Sequence, residues 1–169
     1  VNLGSNIISS IAFSGNTLFA LDYSTTKTLY KTTDNGATWS ALANVPKTVV
    51  SVAVYNNQVY AGTVGGVYRS ADNGQTWTTA NTGLPVTEGA TDECVVLVSN
   101  NILYSRYKGV LYTSGNNGDT WTGSTGTLAV TSQRNILNTG FYIIVATGEG
   151  VYYSNNDGAS WKKSALDLR

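Results

Sequence analysis

The sequence has no histidine and no methionine, and only one cysteine and two prolines among its 169 residues. The absence of histidine excludes the Ser-His and Cys-His nucleophile pairs, and it removes the most frequent general base and zinc ligand. A single cysteine cannot form an internal disulfide. Because Cys94 precedes the apolar run 95–98, we expect a buried strand and an inert core thiol there.

Charged residues are also scarce. Ten Lys and Arg balance ten Asp and Glu, and together they make up 12% of the chain. This balance gives no electrostatic footprint for nucleic acid or an anionic membrane surface, and no apolar run is long enough for a membrane-spanning helix. We therefore expect neither nucleic-acid binding nor membrane insertion. Low charge and the absence of methionine are typical of a processed or excised chain, which we expect to be extracellular or at the cell surface.

A fourfold internal repeat dominates what is present. Each copy ends in the pattern Ser/Thr-x-Asp/Asn-x-Gly-x-Thr/Ser-Trp, at Trp39, Trp77, Trp121 and Trp161. Consecutive tryptophans are 38, 44 and 40 residues apart, and a four-stranded propeller blade takes about 40 to 45 residues. The repeat predicts one β-propeller array over residues 1–169, with blades at roughly 7–42, 48–80, 93–123 and 133–165.

Every copy divides into four short apolar strands separated by Asn-Asn, Gly-Gly or Asn-Gly turns. These turn residues tolerate the positive φ that tight hairpins need. No helical periodicity is present, so the predicted fold class is all-β, with either a closed four-blade ring or half of a larger ring. A half-ring would expose the apolar flanks of its end blades, and we therefore expect self-association or packing against a neighbouring domain.

The four closing segments resemble the Asp-box, or bacterial neuraminidase repeat, of the sialidase-like superfamily. The resemblance implies a structural hairpin on the outer side of each blade, remote from the functional site. A side-chain oxygen would accept bonds from loop amides, the glycine would close the turn, and the tryptophan would return to the core. We expect no metal and no cofactor, because the loops lack the ligand spacing of calcium-binding EF-hands. The box positions are Asp34, Gly36, Thr38, Trp39, Asp72, Gly74, Thr76, Trp77, Asn116, Gly118, Thr120, Trp121, Asn156, Gly158, Ser160 and Trp161.

The Asp-box family includes sialidases, xyloglucan-cleaving glycosidases, receptor domains and assembly factors, so the resemblance leaves the activity open. A sialidase site needs clustered arginines, and this chain has only Arg69, Arg106, Arg134 and Arg169. A glycosidase needs two carboxylates about 5 to 10 Å apart. Outside the boxes and Asp167, such a pair would have to come from Asp22, Glu88, Asp92, Glu93 and Glu149, and acids on loops are usually solvated. We assign no catalytic residue. A glycoside hydrolase of sialidase or xyloglucanase type, or a fragment of one, is the alternative, and a subunit of a surface appendage or filament is a second alternative.

Recognition at the surface is the remaining class of function. In a four-stranded meander, the loops between the second and third strands emerge on the face opposite the boxes, the box-free face. Its most distinctive tip holds Arg106, Tyr107 and Lys108, because an aromatic ring between two cations suits stacking on a sugar or a planar group. Tyr23 and Glu149 lie at the corresponding places in the first and fourth copies. The sequence therefore predicts a non-catalytic module that binds a glycan or protein ligand on this face.

Overall fold

The computed structural model describes residue 3, residues 6–128 and residues 133–165, with the backbone alone at 133 and 134. Within these ranges every regular element is a strand, and no helix could cross a membrane. The strands are β1 Ile8–Ser14, β2 Thr17–Asp22, β3 Leu29–Thr32, β4 Ser40–Ala41, β5 Val49–Tyr55, β6 Gln58–Thr63, β7 Gly66–Ser70, β8 Thr78–Thr79, β9 Val95–Ser99, β10 Ile102–Tyr107, β11 Val110–Ser114, β12 Thr122–Thr127, β13 Gln133–Asn138, β14 Ile143–Thr147, β15 Gly150–Ser154 and β16 Lys162–Lys163.

The strands pair in chain order into four antiparallel four-stranded sheets, β1–β4, β5–β8, β9–β12 and β13–β16. Each sheet is one blade, numbered one to four along the chain. Tight turns join the first two strands of a blade, and at Asn56 and Asn57 the φ angles are 47° and 59°, the left-handed conformation of a type I′ hairpin. The prediction of an all-β β-propeller fold with four four-stranded blades is confirmed.

Blade three extends beyond its predicted end at residue 123. The outer strand of blade three, β12, continues to Thr127, because the following residue, Leu128, still donates its amide to the carbonyl of Gly109 at 2.8 Å. In blade four the amide of Thr139 bonds to the carbonyl of Tyr142 at 3.0 Å, so the turn proper is Gly140–Phe141. When the hairpins are aligned on these turns, each position of one blade has an equivalent in the other three.

The hydrophobic core is divided among the junctions between consecutive blades. One cluster joins blades one and two around Phe19 and Val52, one joins blades two and three around Tyr60 and Val96, and one joins blades three and four around Tyr104. Each sheet of a propeller is apolar on both faces and must bury both against neighbours. Among the described residues, no comparable cluster joins blade four to blade one.

Candidate functional site

The closing segment of each blade, residues 34–39, 72–77, 116–121 and 156–161, forms a loop that we call the box loop. In blade one, the carboxylate of Asp34 accepts the amide of Thr38 at 2.9 Å and the hydroxyls of Thr32 and Thr38 at 2.5 Å each. These bonds favour the charged carboxylate, so the hydroxyl of Thr32, followed by that of Thr38, lowers the pKa of Asp34 to about 2. The same arrangement around Asp72 lowers the pKa of that carboxyl as well.

The box loops of blades three and four use asparagine in the same role. The side-chain oxygen of Asn116 accepts the amide of Thr120 at 2.9 Å, and its amide group donates to the hydroxyl of Thr120 at 2.8 Å. Asn156 makes the equivalent pair of bonds to Ser160. Because the loop's own amides and hydroxyls engage these oxygens, the four box loops are built as structural hairpins.

Long cationic side chains tie the box loops to the preceding blade at the first two junctions. The ammonium group of Lys31 donates to the carbonyl of Asn73 at 3.2 Å, and the guanidinium of Arg69 donates to the carbonyl of Asn117 at 2.8 Å. Arg69 also forms an ion pair of 2.5 Å with Asp119. The equivalent residue in blade three is Thr113, which is too short to reach the next box loop in this way.

A groove of about 560 Å³ opens at the junction of blades three and four, where Thr113 stands. Its floor is apolar, and its walls carry hydroxyl and amide groups together with part of the last box loop. The floor residues are Ile102, Tyr104, Leu111 and Ile143, and the polar wall residues include Asn101, Thr113, Thr122, Ser124, Thr125, Asn138, Asn156 and Asp157. The volume falls within the range of about 300 to 1,000 Å³ that small-molecule sites occupy.

Hydrogen bonds hold the polar groups of the groove in place. The side-chain amide of Asn138 donates to the hydroxyl of Tyr104 at 2.6 Å, and its backbone amide donates to the hydroxyl of Ser99 at 2.8 Å. Burial raises the pKa of Tyr104, so its hydroxyl is neutral. Asp157 supplies the single carboxylate among the lining residues, and the described residues contain no cluster of acidic or cysteine side chains that could hold a metal ion. The arrangement offers neutral donors and acceptors around an apolar floor.

The predicted tip at 106–108 has a different structure from the one expected. Tyr107 is fully buried in the core between blades two and three, and its hydroxyl lies 3.4 Å from a carboxylate oxygen of Asp92. Arg106 is also buried, with 9% of its surface exposed. The prediction of an exposed ring between two cations was therefore wrong, because the last two residues of β10 are buried although their side chains leave opposite faces of the strand. Lys108 alone is exposed, and its ammonium lies 3.2 Å from Asp92.

The other predicted binding residues lie on other blades. Tyr23 is exposed beside Asp22 at a separate hollow of about 270 Å³ on blade one. Glu149 is exposed in the turn between β14 and β15 of blade four. The structure thus spreads the five predicted residues over three blades, and a role in binding stays a prediction for the exposed Lys108, Tyr23 and Glu149. The side chain of Arg134 and the whole of Arg169 fall outside the described residues.

Sequence reasoning missed the residues of the groove. A comparison of the four copies contains one feature that could have pointed to the groove. Blades one and two have the long cations Lys31 and Arg69 where blade three has the short Thr113. The remaining wall residues, such as Asn101 and Asn138, are ordinary hairpin-turn residues in the sequence. Only the packing of blade four against blade three brings them to one groove.

The family model of the DUF6242 beta propeller domain matches residues 4–110 of the chain. No curated protein matches it. Among solved structures, a GH74 enzyme of Niastella koreensis is 26% identical with a TM-score of 0.64, and the match covers 96% of this chain and 25% of that one. A structure of YCF48 bound to D1 peptide is 18% identical with a TM-score of 0.60, covering 94% of this chain and 52% of that one.

A third similar structure is the extracellular domain of the putative hybrid two component system BT4673 from B. thetaiotaomicron. It is 14% identical with a TM-score of 0.69, and the match covers 95% of this chain and 22% of that one. The chain therefore spans about half of the YCF48 structure and about a quarter of the other two. At such identities, the likeness to YCF48 and BT4673 shows the fold alone.

Proposed function

The chain belongs to the DUF6242 β-propeller domain family, and from that premise we propose that it is a non-catalytic binding module. Its site is the groove between blades three and four, and its ligand is a neutral, hydroxyl-rich molecule such as a glycan. We further propose that the module works outside the cell. The scarcity of charged residues, at 12% of the chain, supports that location because it is unusual for a cytoplasmic protein.

The lining of the groove carries this proposal. Hydroxyl and amide groups such as those of Thr113, Thr122 and Asn138 face a space of about 560 Å³. They offer both donors and acceptors without a charge, which is what the hydroxyls of a neutral sugar can pair with. An apolar floor of Ile102 and Ile143 matches the C–H surface of a sugar ring.

The acid content of the groove favours binding over hydrolysis. Glycoside hydrolases generally need two carboxyl groups, one on each side of the scissile bond. Asp157 is the one acid among the groove's lining residues. A site with a single carboxylate can orient a ligand but lacks the acid–base pair of that reaction.

The substitution Thr113→Arg tests the proposal. It places in blade three the long cation that blade two has at Arg69, and we expect it to fill the groove and reach the last box loop. Glycan-array screening of the wild-type chain, followed by calorimetry with a retained glycan, should give binding that Thr113→Arg weakens by roughly tenfold or more. Thr79→Arg, on the exposed outer strand of blade two, is the matched control and should bind like the wild type.

Two results would contradict the proposal. Equal binding by the wild type and Thr113→Arg would remove the groove as the site. A wild-type chain that retains no glycan would exclude the proposed ligand class, and the array could then be replaced by a peptide library to look for a protein ligand.

The likeness to the Niastella GH74 enzyme favours one second candidate, a blade set from a larger glycoside hydrolase. In that case Asp157 would be one of two catalytic carboxylates, and the second would come from outside these four blades. Xyloglucan hydrolysis by the longest natural form of the protein, abolished by Asp157→Asn, would establish this candidate. Hydrolysis unaffected by the substitution would exclude Asp157 from catalysis.

A further inference from the structure

Blade one exposes an apolar flank that the other blades bury. Ile11 on β1 is 75% exposed, whereas the equivalent residues are 4% exposed at Val52, 1% at Val96 and 5% at Ile136. Phe13, two residues further along the same face, is also exposed. In blades two to four this face packs against the preceding blade. We call Ile11 and Phe13 the leading flank.

Blade four exposes the opposite apolar flank. Leu137 on β13 is 54% exposed, and its equivalent in blade two, Ala53, is 6% exposed because it packs against blade three. Tyr142 and Phe141 beside it are exposed as well, and Tyr142 makes an edge-to-face contact of 6.0 Å with Tyr153. We call Leu137, Phe141 and Tyr142 the trailing flank.

The two flanks are the two halves of an interface that the chain already makes three times. Ala53 of blade two and Val96 of blade three, for example, occupy positions equivalent to Leu137 and Ile11, and they belong to one buried cluster. Within one chain the two flanks do not meet. The first strands of neighbouring blades, β1 with β5 and β5 with β9, are in extensive contact, and no comparable contact joins β13 to β1 among the described residues.

We propose that two copies of this chain close one eight-blade ring, with the leading flank of each packed on the trailing flank of the other. A twofold axis brings both pairs of flanks together at once, so the contact closes instead of growing into a filament. Eight blades lie within the range that propellers use. The net charge of zero places no electrostatic barrier between two copies. In the two junctions between the copies, the same repeat positions would pack together as in the three junctions within each chain.

Analytical ultracentrifugation of the 169-residue chain tests the proposal. We expect a concentration-dependent dimer of twice 17.9 kDa. Ile11→Asp and Leu137→Asp each place a charge in the interface and should weaken dimerisation by roughly tenfold or more. Both side chains are exposed in the single chain, so circular dichroism should show an unchanged fold. Tyr23→Asp, which charges an equally exposed aromatic position outside both flanks, should dimerise like the wild type.

Mixing the two flank variants distinguishes the proposed contact from a symmetric one. A pair made of one Ile11→Asp chain and one Leu137→Asp chain keeps one wild-type junction, so the mixture should dimerise more tightly than either variant alone. A contact of leading flank with leading flank would instead leave Leu137→Asp dimeric by itself.

Three results would overturn the proposal. They are a wild-type chain that stays monomeric at high concentration, association that Ile11→Asp does not weaken, and growth into open polymers. The outcome is independent of ligand binding, because Thr113 and the groove lie at an internal junction. Thr113→Arg should therefore dimerise normally.

Discussion

Equivalent positions of one repeat form both the junction between blades two and three and the two outer flanks. The junction residues are buried, whereas the flank residues are exposed to solvent. At the junction, Trp121 is buried and its indole N–H donates to the carbonyl of Ala80 at 2.8 Å, while Arg69 bridges to the next box loop. At the flanks, Ile11 and Leu137 are exposed. The difference shows that the apolar residues of this repeat become buried only when a neighbouring blade packs against them, since each buried cluster contains residues of two consecutive blades.

The largest expected effect comes from the tryptophans at the junctions. Trp121→Ala removes a buried ring and its hydrogen bond, and should lower the free energy of unfolding by about 3 to 5 kcal/mol. Trp161→Ala should lower it by less, because that ring is only half-buried and its N–H has no hydrogen-bond partner among the described residues. Urea unfolding of both variants measures the difference. Equal losses would contradict the unequal packing of the two junctions.

A pair of isoleucines isolates the effect of the neighbouring blade. Ile136 and Ile11 are the same residue at the same repeat position, one buried against blade three and the other exposed. Ile136→Ala should cost about 2 to 5 kcal/mol, and Ile11→Ala should change the free energy of unfolding by less than about 0.5 kcal/mol. The measurement requires concentrations at which the chain is monomeric. A large loss for Ile11→Ala under those conditions would show that blade one has a partner within the chain.

A smaller effect is expected from the cationic bridges. Arg69→Gln removes a hydrogen bond of 2.8 Å to Asn117 and a partly exposed ion pair with Asp119, and should cost about 1 kcal/mol after solvent screening. Lys31→Gln removes one exposed bond of 3.2 Å and should cost less than about 0.5 kcal/mol. Thermal unfolding at low and high salt checks both values. A salt-independent loss for Arg69→Gln would show that packing of its stem, and not its charge, matters.

The smallest effect at neutral pH is expected from exchanging a box-loop acid. In the loops of Asn116 and Asn156 the side-chain oxygen accepts the same backbone amide, and the side-chain amide donates to the hydroxyl that in blade one donates to Asp34. Asparagine thus completes the loop equally well, so Asp34→Asn should be nearly neutral at pH 7. The pKa of Asp34 is lowered from 3.8 to about 2 in the folded chain. Its stabilising contribution is therefore complete above pH 3.8 and is lost as the pH falls through about 2.

Thermal midpoints measured from pH 7 down to pH 2 test whether acid removes the stabilising contribution of Asp34. Asp34→Asn should flatten the acid end of the profile relative to the wild type. The reverse substitution, Asn116→Asp, should steepen it. A profile that Asp34→Asn leaves unchanged would show that the carboxylate bonds of this loop add nothing to stability.

Much of the architecture could be predicted from the repeat itself. The tryptophan spacing predicted the number of blades, and the Asn-Asn turns and apolar runs predicted four strands in each, because turns and strands are specified by residues close together in the sequence. The inert core environment of Cys94 agrees with a fully buried thiol whose pKa burial raises to about 12. The surface at 106–108 was misjudged, since nothing local in Arg106-Tyr107-Lys108 reports that Tyr107 ends a strand facing the core.

By itself, the sequence determined that this chain is an all-β propeller of four blades with a hydrogen-bonded loop closing each one. Only the tertiary structure decided that Tyr107 is buried, that a groove opens beside Thr113, and that Ile11 and Leu137 are exposed. The physical reason is the range of the forces involved. Strand pairing and turn conformation depend on neighbours along the chain, whereas burial in a propeller depends on another blade, about 40 residues away in sequence.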